Sequence, residues 1–348
     1  SGTKRRTHEV PASIMAPRLV LIGSVAILTV LGFVMVYSAS SIEAYAQYGD
    51  AAYFIKRQFV FLIGGIAICA IFSAYPYRSW RGIPAWAFWC VIVGLLAATT
   101  LFGFVGLGSK RWLYIGSMGF QPSEFAKVAM LVLAAHLFVL QREGEYAGSF
   151  RQFAMTMLLV VGLPAAIIFL QPDLGTFALV LFGILAVMWF GEVPMRAVGG
   201  IVLAAGIIAV LAIVFVEFRG NRLSGWLDPW SDPLGDGYQT INSFYAFSDG
   251  GVFGVGLGNS LQKYLYLPEA YNDFIFAIVC EELGLLGCLA VIALFIALFV
   301  ASIKIGQRAP DMFGSVLAPS CGALIMGQAL LNICCVLGIL PVTGKPLP

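Results

Sequence analysis

Asp273 stands at the end of a polar, aromatic stretch, Lys263–Asp273, where the chain turns into a long apolar run. Partial desolvation at such a boundary strengthens a carboxylate as a proton acceptor, which suits a general base. An Asp just ahead of an apolar run also reads as a helix N-cap, and spacing alone leaves both readings open. Glu124 and Lys127 are three residues apart. On a helix they share a face, where they can pair with each other or where the ammonium can meet a phosphate or pyrophosphate. Asp173, between Pro172 and Gly175, is placed to cap the helix that follows, with ligand contact as the alternative. Glu281 and Glu282 are adjacent inside an apolar stretch, so at least one faces the protein interior or a polar cavity. Packing and catalysis both remain open for them. Lys110 and Arg111 beside Trp112 fit an interfacial anchor, or a hold on a lipid-linked phosphate.

The elements that must position these residues follow from composition. Of 348 residues, 60% are hydrophobic and only 11% charged, against about 45–50% and about 25% in soluble globular chains. A mean hydropathy of +0.92 agrees. These values exclude a cytosolic enzyme and a disordered chain, and a formal charge of +2 offers no cationic field for nucleic acid. The chain is read as a polytopic membrane protein. All seven cysteines lie in apolar runs without a CxxC pair or a Cys/His cluster, so they are expected to be small packing residues.

A membrane-crossing helix needs about 20 mostly apolar residues. Nine stretches qualify: Leu19–Tyr37, Phe59–Tyr75, Ile83–Gly103, Phe120–Leu140, Phe153–Leu170, Leu174–Phe190, Ala197–Val216, Phe274–Ile303 and Met312–Leu340. The basic tail Ser1–Arg18 lacks a cleavage pattern and is expected in the cytoplasm. The alternation then places roughly 11 of the 20 Lys and Arg in about 50 inside residues, and roughly 8 in about 100 outside, a mild positive-inside bias. The domain reading is a tail to residue 18, spans over 19–216, a large outer loop at 217–273, spans over 274–340 and an outer segment at 341–348. The outer loop carries many aromatics, including Trp226, Trp230 and Tyr238. These argue against disorder, and a loop this long is usually functional. Gly254, Gly256 and Gly258 mimic a nucleotide loop, but no strand precedes them, so a turn is the better reading.

These segments together resemble the SEDS family of bacterial shape, elongation, division and sporulation proteins, with a leaning toward the FtsW division branch. The resemblance rests on Lys110-Arg111-Trp112, Phe120-Gln121-Pro122-Ser123-Glu124, Gln171-Pro172-Asp173-Leu174-Gly175 and Asp228-Pro229. It continues with Gly235-Asp236-Gly237-Tyr238-Gln239, Gly256-Leu257-Gly258-Asn259-Ser260, Leu267-Pro268-Glu269, Asp273-Phe274, Glu281-Glu282-Leu283-Gly284 and Pro341-Val342-Thr343-Gly344. The family commonly has His-Thr just before its aspartate, where this chain has Tyr271-Asn272.

The resemblance implies an all-α bundle of about ten membrane helices, nine of them in this chain, with the tenth lost by truncation after Pro348. It implies a peptidoglycan glycosyltransferase in the bacterial cell membrane, acting at the division septum with its N-terminus cytoplasmic. The implied substrates are lipid II and glycan linked to undecaprenyl pyrophosphate. The implied partners are a class B penicillin-binding protein and other division proteins. Asp273 takes the place of the family's essential aspartate. Trp112, Glu124 and Lys127 match its functional tryptophan, carboxylate and lysine. Lys110, Arg111 and Arg222 are candidates for the pyrophosphate, and Gln121, Ser123, Gln262, Lys263 and Glu269 complete the substrate-binding candidates. No cofactor is implied. A divalent cation suits pyrophosphate chemistry, but no acidic cluster with ligand spacing demands one. A precursor flippase and a non-catalytic scaffold are the alternatives to the enzyme.

Overall fold

The structure is a computed structural model and describes residues 12–348, except 107–108, 116–117, 172, 195, 197, 201, 204–205 and 207–224. It also leaves aside the side chains of 12–13, 104–110, 115 and 118. Among the described residues, seven helices are long and apolar enough to cross a membrane, against nine expected. Leu174–Phe190 is an apolar helix of 17 residues, and the expected span Ala197–Val216 falls mostly outside the described residues.

In chain order the helices are α1 (Ala12–Tyr48), α2 (Tyr53–Ala74), α3 (Ile83–Phe102) and α4 (Pro122–Glu143). Next come α5 (Phe150–Met157), which runs through a π-helical segment, Leu158–Gly162, into α6 (Leu163–Leu170), and then α7 (Leu174–Phe190). The series ends with α8 (Tyr238–Gly250), α9 (Ile275–Gln307) and α10 (Met312–Val336). Helix α1 extends well beyond the expected Leu19–Tyr37, with Ala, Ser and Gln residues continuing it past Tyr37 and Pro17 lying inside its N-terminal extension.

Burial separates the helices by role. Helices α4 and α10 are central, and their buried faces run nearly their whole length. Helix α2 buries no residue at all, as suits a helix facing lipid. One core joins α3, α4, α6, α7 and α10, and a second joins α1, α9 and α10 with the loop residues Leu267 and Ala270. Helix α10 belongs to both and therefore ties the bundle together.

Two departures from an all-helical reading bear on the site. Between α3 and α4 the chain forms a three-stranded antiparallel meander, β1 (Phe104–Gly106), β2 (Ser109–Ile115) and β3 (Met118–Phe120). Phe104 pairs with Trp112, and Leu113 with Phe120; the β-branched and aromatic residues of β2 favour this extended form. The long loop is also partly ordered. Its helix α8 buries Ile241 and Ala246, and Trp226 donates its indole N–H to the carbonyl of Gly338 just beyond α10 (2.8 Å).

Helix α9 is broken at Gly284, whose φ of 69° and ψ of −170° only glycine adopts readily. The backbone groups freed by the break are taken up by the glycine-rich run of the loop. Val255 and Gly256 N–H donate to the carbonyls of Glu281 and Glu282 (2.9 and 3.0 Å), and Leu285 N–H donates to Gly251 (2.9 Å). A broken helix is tolerated in a membrane protein where protein groups satisfy it in this way. Cys280 and Cys288 are joined by a disulfide across the break, with Cα atoms 5.7 Å apart, which corrects their reading as packing residues. A continuous helix would hold them about 12 Å apart, so the break brings them together.

Candidate functional site

The site is assembled at the end of the bundle where β2, the α6–α7 link, the start of α4 and the start of α9 meet. Pro122 opens α4 without needing a backbone donor, and this places Glu124 and Lys127 in its first turns. Lys127 is buried, and its Nζ donates to Glu124 Oε2 (2.7 Å) and to Gln328 Oε1 on α10 (2.6 Å). The pairing allowed by their spacing is therefore present.

Asp173 is the N-cap of α7, accepting from Thr176 N–H through Oδ1 (3.1 Å) and from the Thr176 hydroxyl through Oδ2 (2.8 Å). It is only 1% exposed, and Gln121 Nε2 also donates to its Oδ2 (3.1 Å) and to Ser123 Oγ (3.0 Å). Burial alone would push this carboxyl up, but Lys345, Arg111 and the Thr176 donors outweigh burial and hold it below the usual carboxylate range. Arg111 on β2 donates from Nε to the carbonyl of Gln171 (3.0 Å), which draws the meander onto the α6–α7 link.

The residue that unites the cluster is Lys345, which sequence reasoning missed. Residues 341–348 follow α10 back into the bundle, and Lys345 is 3% exposed. Its Nζ lies 3.0 Å from both Glu124 Oε1 and Asp173 Oδ2. The stem of Lys345 crosses Gly175, where a Cβ would come within 2.6 Å of the lysine Cγ.

Asp273 precedes the N-cap of α9, which is Phe274. Its carboxylate abuts the C-terminal segment: a Cβ on Gly344 would sit 3.4 Å from Asp273 Oδ2. Asn332 on α10 donates to the backbone carbonyls of Asp273 (2.7 Å) and Lys345 (2.8 Å). The aspartate and the charged cluster are thus joined through residues 343–346. Tyr271 stacks on Phe54 with ring centroids 4.4 Å apart. Burial, then the nearby Glu269 and Glu43 carboxylates, push its phenol up and keep it protonated. Glu269, at a positive φ of 55°, accepts the N–H groups of Asn272 and Phe274 on its carbonyl (3.0 and 3.3 Å) and shapes the turn that delivers Asp273.

Other candidates stand in a second cluster. Lys263 Nζ is 3.0 Å from Glu282 Oε1, and Ser38 of α1 donates to the same carboxylate. Glu281 accepts from Ser260 Oγ (2.5 Å) and from Leu261 N–H (2.6 Å). Gln262 is buried beside them. Through these contacts Glu281 and Glu282 link the long loop to the α9 break. Trp112 is partly exposed on β2. The side chain of Lys110 and all of Arg222 lie outside the described residues.

The profile of the cell cycle protein family of FtsW, RodA and SpoVE matches residues 18–348. Stage V sporulation protein E of Bacillus subtilis (strain 168) is 37% identical over 343 residues, covering 96% of this chain and 91% of that protein. The probable peptidoglycan glycosyltransferase FtsW of Geobacter metallireducens is 36% identical over 334 residues, covering 95% and 88%. Among solved structures, the fold is similar to the crystal structure of the rod shape determining protein RodA of Thermus thermophilus, with a TM-score of 0.68 at 23% identity over 95% of this chain and 88% of that one. It is also similar to a chain described under "structural coordination of polymerization and crosslinking by a peptidoglycan synthase complex", with a TM-score of 0.74 at 24% identity over 94% and 89%. With a profile spanning nearly its whole length and relatives above a third identical, this chain belongs to the SEDS family of FtsW, RodA and SpoVE.

Proposed function

We propose that the protein is a peptidoglycan glycosyltransferase that polymerises lipid II, with Asp273 as general base. The observation that carries this reading is the placement of the Asp273 carboxylate against Gly344, one residue from the lysine that joins Glu124 and Asp173. The acceptor 4-hydroxyl attacks the anomeric carbon of the donor as Asp273 takes its proton. The bond from that carbon to the pyrophosphate oxygen breaks, and the lipid pyrophosphate leaves. One displacement turns an α-linked donor into a β-linked product, so a single base suffices and no covalent intermediate is needed.

Positive charge for the departing pyrophosphate comes from Arg111 and from Lys127 and Lys345, which lie buried behind the more exposed Glu124. Trp112, on the same meander as Arg111, offers a stacking face to sugar or lipid, and Gln121, bonded to Ser123, orients Asp173. This end of the bundle faces outward and the N-terminus lies in the cytoplasm. The long loop meets a class B penicillin-binding protein at the septum. Among the described residues, the buried charges other than His136 lie in this cluster and the neighbouring Lys263–Glu282 cluster, which favours an enzyme over a transporter lined with charge through its depth.

The test is lipid II polymerisation by the full-length protein, with and without the class B partner, comparing wild type with Asp273→Asn. Polymer from the wild type and a loss of about 10²- to 10⁴-fold in the variant are expected. Equal polymer from both removes Asp273 as the base, and none from either with the partner present removes the enzyme.

A further inference from the structure

We infer that Asn332 is a positioning residue for the polymerisation reaction, setting Asp273 against Lys345 through one amide group. This rests on the reading of Asp273 as the base. Asn332 is 1% exposed in the last turns of α10, and its Nδ2 donates to Asp273 O at 2.7 Å and to Lys345 O at 2.8 Å. An amide nitrogen has two hydrogens, and both are used here. With acceptors on both sides, the flipped orientation would turn an oxygen toward two carbonyls, so the assignment of nitrogen and oxygen is settled by its surroundings.

The two carbonyls belong to segments that no helix holds. Asp273 lies in the turn ahead of α9, and Lys345 in an extended run between Gly344, with φ of 69°, and Pro346, which has no N–H to donate. One turn earlier on the same face of α10, Gln328 makes the companion link. It accepts from Lys127 Nζ (2.6 Å) and donates to the carbonyl of Pro346 (3.2 Å). Two amides four residues apart therefore fasten consecutive carbonyls of the C-terminal segment. Gln328 ties that segment to the cation on α4, and Asn332 ties it to Asp273. Neither touches the proposed reacting atoms in this arrangement. Their contribution is alignment, and misplacement of a reacting group by about 1 Å costs about 100-fold in rate.

The experiment measures kcat and KM for lipid II polymerisation, together with thermal unfolding, in full-length wild type, Asn332→Ser, Asn332→Leu and Asp273→Asn. Asn332→Ser keeps one hydroxyl donor on a shorter side chain and can serve at most one of the two carbonyls; Asn332→Leu serves neither. The expected result for Asn332→Ser is a folded protein with kcat reduced about 10- to 100-fold and KM within about threefold of wild type. Asn332→Leu, where it folds, falls further in kcat. If Asp273→Asn is inactive while Asn332→Ser keeps its kcat, the inference fails and the base stands. An Asn332→Ser variant that loses activity only in proportion to its folded fraction, or through KM alone, also overturns it. If Asp273→Asn is fully active, the base reading itself has failed.

Discussion

Lys345 and Asp173 are 172 positions apart in sequence and 3.0 Å apart in space, in a pairing from which water is almost wholly excluded. The same ammonium lies 3.0 Å from Glu124, so one side chain near the end of the chain neutralises carboxylates delivered by two different helices. Such an arrangement adds little to stability over an apolar core of the same shape, yet it is costly to break from one side.

Replacing Lys345 by Met is therefore expected to destabilise the protein by about 3–5 kcal/mol, because Asp173 is left buried and charged. Adding Asp173→Asn should recover part of the loss, since Lys127 still pairs with Glu124. Thermal unfolding of the detergent-solubilised protein measures both. An unchanged midpoint for Lys345→Met would remove the pairing as a structural tie.

The pH dependence of stability should carry the mark of Asp173. Its folded-state carboxyl is held below the ordinary value of 3.8 by Lys345, Arg111 and the Thr176 donors, against burial. A depressed carboxylate contributes stability that is present above the unfolded value and lost as pH falls through the folded one. The Asp173 contribution to the unfolding midpoint should be flat from pH 7 to about pH 5 and decline below about pH 4. Asp173→Asn, compared with wild type across that range, should show a shallower decline; identical curves would contradict the assignment.

The Lys263–Glu282 pair makes a separate prediction. Both side chains are almost fully buried, so Lys263→Met should leave Glu282 with only the Ser38 hydroxyl and lower the midpoint. The double variant Lys263→Met/Glu282→Gln should be more stable than the sum of the single changes predicts, with a coupling of about 0.5–3 kcal/mol. Strict additivity in the same unfolding measurements would show that the pair does not fasten the loop to α9.

Helices such as α3, α4 and α7 were legible because an apolar run of suitable length between turn residues has few other readings. Asp173 was legible as a cap for the same local reason. Helix α8 was not, because Thr240, Asn242 and Ser243 carry weak helical preference and its order comes from packing on α9. The fate of Glu281 and Glu282 was hidden by Gly284, since a sequence does not state that a helix will break and accept a loop into the gap. Lys345 was the largest omission. A lone lysine between Gly344 and Pro346 has no periodicity, and its partners are fixed only when α4, α7 and α10 have already assembled.

That dependence orders the life of the protein on the ribosome. Glu124 is made 221 residues before the lysine that meets it. At about 5–20 residues per second, roughly 10–40 s separate the two. Through that interval the early helices can enter the bilayer and associate, but the pocket at their end stays unfinished. A nascent chain therefore lacks the complete Glu124–Lys345–Asp173 arrangement until Lys345 has been made, and a chain cut short before it would leave Glu124 to Lys127 and Asp173 without its ammonium partner.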